Sequence, residues 1–496
     1  MRHPPAFRSC LACDLARPRR YGQASAESPD GAAMKPDDLR LKIAYAAPGF
    51  ALAAAGVPLY IYLPQFYSDV VGIPVGTVGL ILLAARLFDA FTDPVLGIVS
   101  DRIRAPFWRR KGLILLGMPV VACGILMLLN PIAGATTAWL LVGLLVTFAG
   151  WTLATIPYES LAPDLADRYD DRTSLVGWRD GAIVLGLLIA AALPPAIARF
   201  SHQPTVAPST MTWTALIICA FLAGSLLIFL PNVPAPTPRM TERRIRVGRR
   251  LKLLLRIRAF RVLTASFLIN AIGSNLPAAL MLYYVQYVLE SDLAPILVLA
   301  YLLSGVLALP WWTALARRTE KHRAFQWAMI VHSGAFAATL FCGPGDILIF
   351  AALTMLSGTA SAAVIALPSA MQSDVIDQHR LAAGQDDAGL LISLWAIGRK
   401  LTAAVGIGVA LPLLQVAGYQ PGVAQEPRVI AVLKLLYIGI PVVTGLTAAA
   451  LMSRYPLDRA AHSHIRSQFD TASNTFSTTL PLNESTNSIP EGTPHA

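Results

Sequence analysis

The sequence predicts an all-α membrane protein of twelve transmembrane helices, built as two six-helix bundles with both termini in the cytoplasm. Three observations predict it. The 496 residues are 55% hydrophobic and only 14% charged, with a mean hydropathy of +0.56, whereas soluble domains carry about 25% charged residues. Apolar runs close to the roughly 20 residues that cross a bilayer recur along the chain. The basic residues between those runs fall in alternate loops, which is how membrane topology distributes them.

In order, the runs lie at 43–68, 75–100, 112–130, 136–160, 180–198 and 211–231, then 260–289, 294–316, 324–343, 346–370, 388–417 and 429–453. Many hold Gly and Pro, which membrane helices tolerate better than soluble ones. The loop after the second run carries Arg102, Arg104, Arg109, Arg110 and Lys111. The loop after the fourth carries Arg168, Arg172 and Arg179, and the loop after the eighth carries Arg317, Arg318, Lys321 and Arg323. The intervening loops hold only Arg199 and Arg428, so the basic side is cytoplasmic.

Residues 34–231 and 260–453 are expected to form the two bundles, with 232–259 as a basic cytoplasmic linker. This is the layout of two parallel repeats about an axis normal to the membrane. Residues 1–33 contain no apolar run and read as an over-extended gene model, a disordered arm or a targeting segment. The Ser-, Thr- and Asn-rich tail at 454–496 reads as disordered.

The second run carries the most informative residues. Arg86, Asp89 and Asp93 are spaced by three and four, which places them on one stripe of a helix. Ionisable groups at membrane depth are costly, so they face a protein interior or an aqueous path and mark ion or substrate traffic. Two carboxylates one turn apart supply part of a cage for a small hard cation, or exchange a proton. The plainer alternative is a structural ion pair with Arg86, but one arginine cannot neutralise two acids. Lys400, after Arg399, sits at the depth of Asp89 in the eleventh run. It is expected to balance the acid pair and be released when a cation binds.

Other candidates are less specific. Asp374 and Asp377 end the tenth helix, where an acid pair opposes the helix dipole and calls for a basic partner from a nearby loop. With Glu159, Asp101 and Arg102 they form the expected cytoplasmic gate set. Tyr60, Trp151, Thr152, Thr155, Tyr158 and Trp395 are candidates for lining a cavity, since aromatic faces stack on sugars or apolar ligands and hydroxyls give directed hydrogen bonds. Each serves equally as an interfacial anchor or bundle core.

Composition also excludes functions. The net charge of +11 follows the loops and marks no nucleic-acid surface. Five cysteines form no framework, and Cys10-x-x-Cys13 lacks the second ligand pair a metal site needs. No cofactor is implied beyond a coupling ion, Na⁺ or H⁺. The Asp89-x-x-x-Asp93 spacing also occurs in intramembrane prenyltransferases, but such sites need a second acidic motif at the same membrane end.

Several segments resemble the glycoside–pentoside–hexuronide:cation symporters, the melibiose-carrier family of the major facilitator superfamily. They are Phe66–Gly72, Ala85–Arg102, Ile156–Pro163, Asp171–Asp180, Leu309–Trp312, Leu367–Asp377, Arg399–Leu401 and Gly418–Pro421, in the family's order across about residues 40–455. The resemblance implies a twelve-helix fold working by alternating access, with import of a sugar or glycoside coupled to Na⁺, Li⁺ or H⁺. It implies Asp89 and Asp93 as the cation carboxylates, assisted by Thr152. It implies Lys400 as the helix-11 lysine, Arg179 as the helix-5 arginine and Tyr60 as an aromatic near the sugar. Two departures stand out: Ala53 and Thr155 occupy the places of the carboxylates that hold sugar hydroxyls, and Gly384–Gly389 replaces a basic-acidic string. The coupling machinery is retained while the sugar grip is not.

The expectation is therefore a cation-coupled symporter of a sugar, glycoside or related small solute. Proton-coupled efflux and a lipid or natural-product carrier of the same fold are the alternatives, and an intramembrane enzyme is remote. Its expected partners are the solute, a monovalent cation and the bilayer, not nucleic acid. The expected form is a monomer in the plasma membrane of a bacterium, its inner membrane.

Overall fold

Among the described residues, twelve helices are long and apolar enough to cross a membrane. The computed structural model describes residues 38–103, 105, 107–166, 169–235, 257–383 and 388–457. The expected N-terminal arm, most of the linker and the C-terminal tail lie outside these residues. Among the described residues every regular element is a helix. The first half comprises α1 (Leu39–Val70), α2 (Val75–Arg102), α3 (Trp108–Leu129), α4 (Thr137–Glu159), α5 (Tyr169–Ser201) and α6 (Pro208–Asn232). The second comprises α7 (Arg258–Val288), α8 (Ala294–Arg318), α9 (Lys321–Phe341), α10 (Ile347–Ala383), α11 (Ala388–Val416) and α12 (Pro427–Met452).

The ends follow local chemistry. The Asp38 carboxylate accepts from the Arg40 amide at 2.9 Å and caps α1. Pro208, Pro295 and Pro427 sit in the first turns of α6, α8 and α12, where a missing N–H costs nothing. Two helices run well beyond their apolar runs: α5 starts near 169 rather than 180, and α10 ends at 383 rather than 370. The extensions mix charged residues with buried apolar ones such as Leu175, Met371 and Val375, so they break the continuous apolar run that hydropathy detects.

Within the first half, small residues let helices approach closely, as membrane packing requires. A Cβ on Gly150 of α4 would lie 2.6 Å from the Val121 amide nitrogen of α3, so only glycine fits. Helix α4 is also fastened to α1: the Tyr158 hydroxyl donates to the Tyr45 carbonyl at 2.7 Å and accepts from the Gly49 amide at 3.2 Å. In the second half, Ser266 of α7 donates to the Ala448 carbonyl of α12 at 2.9 Å, and Ser304 of α8 donates to the Met355 carbonyl of α10 at 2.9 Å. Each hydroxyl satisfies a polar group that lipid could not.

The halves meet along α2 against α11 and α1 against α7. Their extracellular ends are latched. Ser68 of α1 is 2.9 Å from the Tyr283 hydroxyl of α7. Tyr419, in the loop after α11, donates to Asp69 Oδ1 at 2.9 Å. The Gly76 amide of α2 donates to Gln415 Oε1 of α11 at 2.7 Å. Burial pushes the Tyr419 phenol up from its ordinary pKa, so it remains a donor.

Candidate functional site

Helix α2 delivers three charged side chains to one face, as its spacing dictates. Asp89 is 1% exposed. Its Oδ1 accepts from the Thr152 hydroxyl of α4 at 2.8 Å, and its Oδ2 lies 2.9 Å from Lys400 Nζ of α11. The same ammonium bonds Asp93 Oδ2. Lysine and acids thus face each other across the boundary between the halves, near the middle of their helices. Asp93 Oδ1 is buried and has no hydrogen-bond partner among the described residues.

Arg86 stands at the edge of this cluster, with Nη1 3.6 Å from Asp89 Oδ2. Its guanidinium carbon lies 4.0 Å from the Tyr60 ring centroid and 4.7 Å from that of Phe148. Two aromatic faces therefore hold the cation in place. Four charges and one hydroxyl from three helices form a net-neutral cluster, held together by opposite signs and open at one carboxylate oxygen.

The remaining candidates fall in different places. Trp151 lies beside Gly56 of α1, its ring 3.5 Å from where a glycine Cβ would stand. Thr155 returns its hydroxyl to the Trp151 carbonyl at 2.9 Å, and Tyr158 commits its hydroxyl to the α1 backbone. Tyr158 therefore acts in this structure as a tie between helices rather than as an exposed wall. Arg179 pairs with neighbouring Asp180 at 2.8 Å, and Trp395 stacks on Phe267 of α7 at 4.1 Å. Ala53 is half-buried and brings no polar group.

The gate set is redistributed. Asp374 meets Lys321 of α9 at 2.8 Å, a tie inside the second half. Glu159 is exposed, and Arg102 is exposed at the end of α2. The side chains of Asp101 and Asp377 lie outside the described residues. Arg109 and Arg110, expected in the loop after α2, lie in the first turn of α3 and grip Asp164, with Arg110 Nε at 3.1 Å and Arg109 Nη2 at 3.5 Å. Lys111 donates to the Leu230 and Val233 carbonyls at 2.7 and 2.6 Å, closing the end of α6. The sequence reading missed Asp164, Phe148, Asp69 and Tyr419. Only Asp69, a carboxylate near the end of an apolar run, carried a visible signal.

Residues 44–459 match the MFS/sugar transport protein family. The chain belongs to this family. It is similar to an uncharacterized symporter of Synechocystis, 24% identical across 86% of this chain and 96% of that protein. It is also similar to the putative glycoside/cation symporter YagG of Escherichia coli, 25% identical across 80% and 87%. The sodium-dependent lysophosphatidylcholine symporter 1 of Gallus gallus is 24% identical across 88% and 92%. Among solved structures, the nucleoside transporter NupG superposes with a TM-score of 0.61 at 14% identity, covering 84% of this chain and 99% of that one, which shows the fold.

This member of the MFS/sugar transport family is a multi-pass plasma-membrane protein and a secondary transporter of the symporter type. The family carries solutes, so the prenyltransferase reading falls.

Proposed function

We propose that the protein moves a small organic solute together with Na⁺ or H⁺ by alternating access, with Asp89, Asp93 and Thr152 as the cation's ligands. One observation carries this reading: Lys400 of the second half neutralises two carboxylates of the first, while one oxygen of Asp93 stays buried and unpartnered. A cation arriving at the two acids competes with the ammonium. The attraction between halves weakens, and their relative position becomes dependent on the ion. Arg86 and Lys400 are the charge couplers. Tyr60, Trp151, Thr155 and Trp395 border the solute path, with Arg179 on its cytoplasmic side, and Tyr158 keeps α1 and α4 aligned beside it.

The names of the bacterial relatives favour a glycoside. A second reading, an amphipathic lipid-like solute, is favoured by a crevice of about 710 Å³ between α1, α5 and α6, lined by Phe50, Trp178, Leu185 and Phe221. The path lies within one chain, so a monomer suffices. The test is uptake of labelled glycosides and lysolipids into proteoliposomes under imposed Na⁺ or proton gradients. Uphill accumulation driven by one ion, and lost in Asp89→Asn/Asp93→Asn, is expected. Normal accumulation by that double variant would refute the coupling site.

A further inference from the structure

We propose that the second half holds a ligand site of its own, for a small uncharged ring compound carrying one hydroxyl, and that its occupant keeps the outer seam shut. No member of the charged cluster lines this site, so it stands apart from ion coupling.

The site is a cavity of about 140 Å³ toward the outer ends of the second-half helices. Pro277 and Met281 of α7, Leu302 of α8, Phe336 of α9 and Leu353 of α10 wall it. An apolar hole of about 150 Å³ in a protein interior stays dry and takes up benzene, so this volume fits a single six-membered ring. One polar feature interrupts the wall. Thr354 is 6% exposed and lines the cavity, yet its hydroxyl makes no hydrogen bond among the described residues. Hydroxyls around it are committed. Thr339 donates to the Phe336 carbonyl at 2.6 Å, Tyr437 donates to Met281 Sδ at 2.9 Å, and Ser357 lies 3.0 Å from His332 Nδ1. A buried hydroxyl without a partner is costly, and a ligand hydroxyl would satisfy it. Every lining residue is uncharged, so an ionic ligand would meet no counter-ion.

The same walls tie the site to the movement of the halves. Ile61 of α1 is the first half's contribution to a cavity otherwise built by the second. Ile61 and Tyr437 both sit on π turns, Pro58–Tyr62 of α1 and Leu435–Gly439 of α12, and the first of these packs on α7. Such wide single turns interrupt α-helices frequently at functional sites. When the outer ends separate, Ile61 leaves and the cavity loses that wall. A ligand that uses the whole wall binds the outside-closed arrangement better, and shifts the population toward it. Its occupant is therefore an inhibitor of the cycle rather than cargo.

The probes are para-fluorophenol and fluorobenzene, followed by fluorine saturation-transfer NMR on the full chain in nanodiscs. The phenol is expected to bind about 2- to 12-fold tighter than fluorobenzene, as one added hydrogen bond allows. Thr354→Val keeps the shape and should erase that preference while leaving fluorobenzene unchanged. Ala278→Leu adds volume at the exposed rim of the cavity and should weaken both probes. In the parent, para-fluorophenol should slow labelling of Gln286→Cys by a membrane-impermeant maleimide several-fold, with no slowing when Ala278→Leu is added. Equal binding to the parent and Ala278→Leu would mean dissolution in lipid only and would overturn the site. A preference surviving Thr354→Val would overturn the role of the hydroxyl, and unchanged labelling would overturn the inhibition. Binding is read without an ion gradient, so each of these failures leaves the coupled-transport reading standing.

Discussion

Lys400 Nζ lies 2.9 Å from Asp89 Oδ2, so the counter-ion of a buried acid in one half of the transporter is supplied by the other half. Removing one partner of a buried pair leaves an uncompensated charge, at a cost of about 3–5 kcal/mol. Lys400→Met should therefore lower thermal stability in choline and recover much of it in saturating Na⁺ or at acidic pH. A melting series across the three conditions checks this, and a loss independent of ion and pH would argue against direct pairing.

Asp93 contributes the oxygen that no described group satisfies. Asp93→Asn should abolish solute accumulation against a gradient while leaving insertion intact. The measurement is steady-state uptake beside counterflow in the same proteoliposomes. Retained uphill uptake would move the coupling site elsewhere.

Tyr60 and Phe148 fix the Arg86 cation between their faces. A buried cation–π contact contributes about 0.5–2 kcal/mol. Tyr60→Leu should raise the solute KM by about 2- to 30-fold through loss of that contact, with Tyr60→Phe close to the parent. Equal losses in the two variants would mean that the phenol, not the ring face, matters.

The outer latch joins Asp69 to Tyr419 at 2.9 Å. Hydrogen bonds to a charged group contribute about 1.5–3 kcal/mol. Tyr419→Phe should favour states open to the outside. A membrane-impermeant maleimide should then label Gln286→Cys, placed beside Gln65 at the same seam, several times faster. An unchanged labelling rate would remove Asp69 and Tyr419 from the outer seal.

The same seam depends on one close approach. A Cβ at Gly79 of α2 would stand 2.7 Å from Leu411 Cβ and 2.8 Å from Pro412 Cδ of α11. Gly79→Val should push the halves apart at that end, and raise maleimide labelling even with Tyr419 intact. Unaltered labelling would show that the seam tolerates the extra volume.

How legible these features were depended on distance along the chain. The twelve spans were readable because bilayer thickness imposes a length on each apolar run, and α2 runs from 75 as the hydropathy did. The acids of α2 were readable because burying charge is expensive, so Asp89 and Asp93 stood out against their neighbours. Lys400 stood out by its depth, counted from the ends of its run, and by its place in the family resemblance. Partners that are apolar or lie far apart in sequence left no trace. Phe148 looks like any core aromatic until Arg86 is seen on it, and Tyr419 sits 350 residues from the carboxylate it holds. The tie made by Tyr158 was hidden for the same reason, since only the fold shows its hydroxyl bound to α1.

The bond between Lys400 and the acids of α2 also bears on assembly during synthesis. Until the eleventh helix emerges from the ribosome, the first six helices must hold two carboxylates with one guanidinium between them, an electrically unfinished object. A separately expressed first half should consequently be a poor substrate for stable insertion and a good one for quality-control proteolysis, and co-expression of the second half should rescue it in trans.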